Sequence, residues 1–146
     1  MLATATLVAC ANHEPDAATI ARRWIDALNT HDVDAVSALM AIDGTYSDPL
    51  DPFPLSDGAL RSLLVRTWKD WADRVYTLRK VIAEDHDVVV TWSMRQTNAS
   101  GAVVPLEGVF VLRVSDGRID EVRAYFDASP YVRLLADAPP RRGRRR

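Results

Sequence analysis

A single cysteine, Cys10, is all the sulfur chemistry the sequence offers. It excludes an internal disulfide framework and any zinc site built on several cysteines. Histidine is nearly as scarce, and His13, His31 and His86 form no His-x-x-x-His or Glu-x-x-His pairing. No metal centre is expected, and no motif asks for a cofactor. No apolar run approaches the roughly 20 residues that cross a bilayer, so no transmembrane segment is expected. Repeats and low-complexity blocks are absent from the sequence.

What is present fits one compact domain. The chain has 146 residues, 48% hydrophobic and 26% charged, a balance typical of folded soluble proteins rather than disordered ones. Its net charge of −2 hides an asymmetry. Five arginines crowd the last six residues; without them 13 of the 18 basic residues remain against 20 acidic ones, a net −7. So acidic a body repels phosphate backbones, and nucleic-acid binding by the core is not expected. Residues 137–146 read as a disordered basic tail, with contact to a polyanion as the sharper alternative. Residues 1–15 read as a flexible or signal-like segment outside the fold. Leu7-Val8-Ala9-Cys10 resembles the cleavage box of bacterial lipoprotein signals, although no Lys or Arg precedes it. The expected location is cytoplasmic, with a membrane-anchored lipoprotein acylated at Cys10 as the alternative.

Between these ends the periodicity is legible. Ala17, Ile20, Ala21, Trp24 and Leu28 recur at three- and four-residue steps and predict a helix that closes near Asn29. Asp32 is a good N-cap for a second, short helix through Val33, Val36, Leu39 and Met40. A short strand follows from Gly44, stopped by Pro49, and the proline-rich stretch to Gly58 is a loop. A third helix is expected from about Ser56 to Arg74, with Trp68, Trp71 and Val75 on its apolar face. The period then changes to two. Val88, Val90, Trp92 and Met94 alternate with Val89, Thr91, Ser93 and Arg95, and two more strands cover Val103 to Val114 and Arg118 to Phe126. Ser115-Asp116-Gly117 is the hairpin turn between them, and Pro130 to Ala136 reads as a last helical turn. Asn98-Ala99-Ser100 fits a glycosylation sequon, a triplet common by chance. Helices followed by a meander predict an α+β domain over residues 16–136, with three N-terminal helices packed on a curved antiparallel sheet.

This order, with the Trp24–Val36 segment, Tyr46-Ser47-Asp48-Pro49 and the Asp116–Asp127 strand, resembles the nuclear transport factor 2-like superfamily. It is most similar to the SnoaL-like branch, which includes polyketide cyclases and is akin to ketosteroid isomerases. The resemblance implies a cone-shaped sheet enclosing an apolar pocket. It also implies cofactor-free acid/base chemistry, such as isomerisation, cyclisation or dehydration, on a polyketide-, steroid- or terpene-like substrate. Asp48 matches the general base of the ketosteroid isomerases, and Trp24, twenty-four residues earlier, stands where they carry an oxyanion-binding tyrosine. Phe110 and Ala124 stand at two further positions that the relatives fill with polar groups.

Two readings follow from this mixture. In one, Asp48 is the catalytic base, Asp127 at the end of the last strand is a second acid/base, and Trp24, Tyr46, Trp68, Trp71, Trp92, Phe110, Ala124 and Phe126 line the substrate pocket. In the other, Asp48 and Asp127 cap the turns that follow them, and the domain binds an apolar small molecule without chemistry. A homodimer is expected in either case. The strand from Val103 carries Val103, Val109 and Val111 on the face opposite Phe110, where a sheet with one solvated face would be polar.

Overall fold

The computed structural model describes residues 15–136 apart from residue 99. Cys10, His13, the sequon's central residue and the arginine-rich end lie outside the described residues. Four helices and five strands run α1 (Ala17–Thr30), α2 (Val33–Leu39), β1 (Met40–Ser47), α3 (Asp57–Asp70), β2 (Val75–Glu84), β3 (Asp87–Thr97), β4 (Val103–Ser115), β5 (Arg118–Phe126) and α4 (Ser129–Ala136). The architecture is α+β, with the N-terminal helices against one five-stranded curved sheet.

The strand order is β1-β5-β4-β3-β2. The β2–β5 meander is antiparallel as expected, but β1 joins β5 in parallel. The sheet is therefore mixed rather than wholly antiparallel. The reason lies in α3: it carries the chain back across the domain before the meander begins. Between the pairs Met40↔Ile119 and Thr45↔Glu121 the register slips, and the extra β1 residues bulge outward, leaving Ile42 97% exposed.

α1 begins where Asp16 accepts the Thr19 N–H at 2.7 Å. It runs past Asn29 to a left-handed cap at His31 (φ 54°). Asn29 is thus the last helical residue but one, near the end as expected. Its amide nitrogen donates to the Tyr76 carbonyl and its oxygen accepts the Tyr76 N–H, both at 2.8 Å, pinning the edge strand β2 onto α1. The apolar stripe of α1, with Ile20, Ala21, Trp24 and Leu28, is buried against the concave face of the sheet. Burial of a large side chain such as Ile20 or Leu28 contributes about 1.5–3 kcal/mol. α2 ends at Leu39, one residue earlier than the periodicity suggests, because Met40 already pairs with β5.

α3 also ends early, at Asp70. Trp71 caps it by donating its N–H to the Thr67 carbonyl, and the chain turns at Arg74. Val75, expected on that helix, instead opens β2. The inward side of β3 carries Val88, Val90, Trp92, Met94 and Gln96, all buried, as period two requires. Gly108 of β4 sits opposite Trp92. A Cβ there would lie 2.4 Å from the Trp92 ring and 2.6 Å from the Tyr125 carbonyl oxygen. The indole occupies the space that any larger residue would need.

α4 follows β5 through a polar turn. Asp127 is exposed and accepts the Ser129 N–H at 2.9 Å and the Ser129 hydroxyl at 2.8 Å. These two bonds to Ser129 hold its carboxyl below the usual aspartate range. Tyr131 anchors the helix, wedged edge-on between Trp71 and Phe126.

Two outcomes test these packing arguments. Gly108→Ala should destabilise the fold by about 1–3 kcal/mol, the usual cost of overpacking, seen as a lower urea midpoint at unchanged slope. Asp127→Ala should speed amide exchange at the start of α4 relative to wild type at neutral pH. Because the folded value is lowered, Asp127's contribution is full above the ordinary aspartate value of 3.8 and is lost as pH falls through the lowered one. The two proteins should therefore exchange alike in strong acid.

Candidate active site

The helices and the concave face of the sheet leave a cavity of about 80 Å³. Five of the eight aromatic and small residues singled out in the sequence meet in its wall: Trp24 from α1, Tyr46 from β1, Trp92 from β3, Phe110 from β4 and Phe126 from β5. Their rings pack on one another, Trp24 edge-on to Phe110 at 6.2 Å and Trp92 against Phe110 at 5.1 Å. The other three are elsewhere. Trp68 stacks on His31 with the rings 5.1 Å apart and 13° from parallel. Trp71, released from the helix face by the early end of α3, lies edge-on to Tyr131. Ala124 pairs with Phe110 across the sheet and borders a separate surface depression beside Pro49, Pro52 and Pro54. Asp127 is in the α4 turn and does not line the cavity.

Asp48 does line it, at the end of β1. One carboxylate oxygen accepts the backbone N–H groups of Leu50 (2.7 Å) and Asp51 (2.9 Å), so it caps the proline-rich loop. The other oxygen accepts the Tyr46 hydroxyl at 2.9 Å. Tyr46 is itself held by paired backbone bonds to Leu55, which fold the loop back on β1. Capping and facing the cavity are thus properties of one side chain, divided between its two oxygens. Burial, reinforced by the adjacent Asp48 charge, pushes the Tyr46 hydroxyl well above its ordinary pKa of 10. Tyr46 therefore stays protonated and keeps donating to Asp48 throughout the neutral range.

A further charged group of the cavity wall is absent from the residues the sequence singled out. Arg74, in the turn between α3 and β2, presents its guanidinium to the cavity wall. Nε donates to Gln96 Oε1 at 2.6 Å and one Nη donates to the Tyr131 hydroxyl at 2.8 Å. Gln96 is fully buried and donates its Nε2 to the same hydroxyl. The Arg74 carbonyl accepts from His31 Nε2 at 2.9 Å; since a carbonyl can only accept, that nitrogen carries the proton. Burial raises the Tyr76 pKa, and the nearby Arg74 charge partly offsets it. No ion pair to Arg74 occurs among the described residues. Gln96 had a signal in the sequence, as the one polar residue on the inward parity of β3. Arg74 was hidden by a helix expected to run four residues too far.

Two donors in the wall lack partners. The indole N–H groups of Trp24 and Trp92 are buried and meet no acceptor among the described residues. Such a group typically costs about 1–3 kcal/mol. No cluster of three or more metal-ligating side chains occurs among the described residues, and none of their helices is long and apolar enough to cross a membrane.

Comparison with known proteins places this geometry in context. No curated protein matches the chain. Among solved structures, the BvnE pinacolase from Penicillium brevicompactum superposes with a TM-score of 0.74 at 18% identity, covering 82% of this chain and 88% of that one. IdmH, a candidate polyketide cyclase from Streptomyces antibioticus, gives 0.73 at 17% identity over 84% and 99% of the two chains. A protein with a ketosteroid isomerase-like fold from Catenulispora acidiphila, in complex with trimethylamine, gives 0.70 at 19% identity over 75% and 86%. At these identities the likeness shows a shared fold. The model of the SnoaL-like domain matches residues 21–128, which span β1, the whole meander and every cavity-lining residue except Tyr131, and the chain therefore belongs to the SnoaL-like family.

Proposed function

We propose that this domain performs cofactor-free acid/base chemistry on a small, largely apolar carbonyl compound, with Asp48 as the base. The observation that carries the reading is the placing of Asp48 in the wall of an aromatic cavity, with Tyr46 fixing one oxygen. That oxygen keeps lone-pair capacity for a substrate proton. In the step envisaged, the carboxylate takes a proton from the carbon beside a carbonyl, the C–H pair becomes the C=C bond of an enolate and the carbonyl π pair moves onto its oxygen. The carboxylic acid so formed returns the proton to the same or another carbon, and nothing is oxidised or reduced. Asp127, exposed and spent on Ser129, is not part of this reading.

The cavity volume narrows the substrate. Pockets for drug-sized ligands are commonly about 300–1,000 Å³, so fused rings of polyketide or steroid size need the 49–56 loop or α4 to move. Carbonyl compounds of a short chain or one small ring need the least opening, since a cavity that seats one benzene ring measures about 150 Å³. A second reading, a binding domain without chemistry, draws on the apolar Trp24 and Phe110 in the cavity wall.

The test is deuterium exchange at the carbon beside the carbonyl of cyclopentanone in D2O, followed by NMR. Wild type should accelerate the exchange, and Asp48→Asn should reduce the acceleration by more than about a hundredfold at unchanged circular dichroism. Ketone binding with no accelerated exchange would leave the binding-domain reading.

We further propose that the outer face of the sheet meets a second copy of the chain. Val89 and Val111 pair there, and Val103 and Tyr125 are exposed beside them. Light scattering should give a dimer mass, and Val111→Lys should halve it without unfolding the protein; a monomer mass at all concentrations overturns this.

A further inference from the structure

Hydrogen-bond valence in the Arg74 cluster shows where a ligand oxygen belongs. Arginine only donates, so the Gln96 atom facing Nε must be the amide oxygen. The Gln96 nitrogen is then the atom facing Tyr131, and it too donates. The Tyr131 oxygen thus accepts from both Gln96 and Arg74, which uses both of its lone pairs. Its own proton must point elsewhere. No acceptor for it occurs among the described residues, and Tyr131 lines the cavity. Arg74 adds a second argument. Its charge is held by Gln96 and Tyr131, both neutral, at a cavity wall and with no carboxylate in ion-pair reach among the described residues. Gln96 is the lock: fully buried, it fixes both the guanidinium and the phenol.

We propose that Arg74 and Tyr131 together form the seat for the substrate's carbonyl oxygen, in the wall of the cavity that Asp48 also lines. This deepens the acid/base reading and rests on it only for the direction of proton transfer. The seat binds any small ketone, ester or amide oxygen whether or not Asp48 then removes a proton. It also selects against hydrocarbons of the same shape, because filling the cavity with CH groups leaves the Tyr131 proton and the guanidinium unpaired. During proton abstraction the negative charge leaves Asp48 and appears on the oxygen beside the guanidinium, so the cavity keeps its net charge while the charge moves within it. The seat is completed by α4, which supplies Tyr131, and the ligand-competent cavity therefore requires α4 to be docked.

The experiment compares cyclopentanone with methylenecyclopentane, a near-isostere lacking the oxygen, using the full chain. Wild type should bind the ketone at least about tenfold more tightly. The carbonyl stretch of bound ketone should move to lower wavenumber than in an apolar solvent. Tyr131→Phe and Arg74→Met should remove the preference and most of the shift, weakening the ketone without weakening the alkene. Should Arg74→Met fail to fold, Tyr131→Phe, which keeps the ring contacts with Trp71 and Phe126, decides alone. Asp48→Asn should keep the shift. Equal binding of the two compounds, no binding of the ketone, or a shift that survives Tyr131→Phe overturns the proposal. A shift without deuterium exchange would leave the seat standing and remove the base; exchange unaffected by Tyr131→Phe would do the reverse.

Discussion

A guanidinium facing a cavity must be satisfied, and this fold meets the requirement without a carboxylate. Arg74 is held by an amide and a phenol drawn from β3 and α4. That choice constrains much around it. β3 must carry a glutamine where its inward parity otherwise demands an apolar residue. α4 must return far enough to deliver Tyr131, and the Asp127 turn fixes its starting point. The Arg74 carbonyl holds His31, whose left-handed backbone ends α1 and whose ring stacks on Trp68. One turn between α3 and β2 therefore couples the first helix, the edge strand and the last helix. Removing a partner from such a network costs more than any single bond in it, because the remaining buried polar atoms are left unmatched.

Asp48 solves a different problem with one side chain. A carboxylate at the end of a strand before proline commonly caps the following loop, and here one oxygen does so. The other is turned to Tyr46, which is itself clamped by Leu55 of the same loop. The loop cap thereby becomes a positioning device: the carboxylate cannot rotate without breaking the Leu50 and Asp51 bonds. Preorganisation of this kind removes the entropy of orienting the group when a ligand arrives.

The parts of this arrangement that obey a period were legible in the sequence. α1, β3 and β4 showed their inward faces through three-four and two-residue repeats, and Trp24, Trp92 and Phe110 lie inward as those repeats require. Asp48 was legible through its place before Pro49 and its distance from Trp24. What the sequence concealed depends on termination and on pairing between distant segments. Nothing local stops α3 at Asp70; the helix ends where Trp71 leaves it to meet Tyr131, sixty residues away. With that end misjudged, Val75 reads as helix, β2 has no beginning and Tyr76 has no place. The parallel pairing of β1 with β5 is equally non-local, since it depends on how far α3 carries the chain.

The same reasoning bears on Trp24 and Phe110, whose rings stand in the cavity wall. Of the two, only the Trp24 indole offers a donor, and it meets no acceptor among the described residues. Yet a pocket's electrostatics follow from the sum of groups in its wall, not from particular positions. Here Asp48 and Arg74 share a wall that is otherwise largely aromatic and aliphatic. Such a wall excludes water, which strengthens the field of each charged group on anything bound. The apolar rings and the two charged residues are therefore complementary features of one cavity.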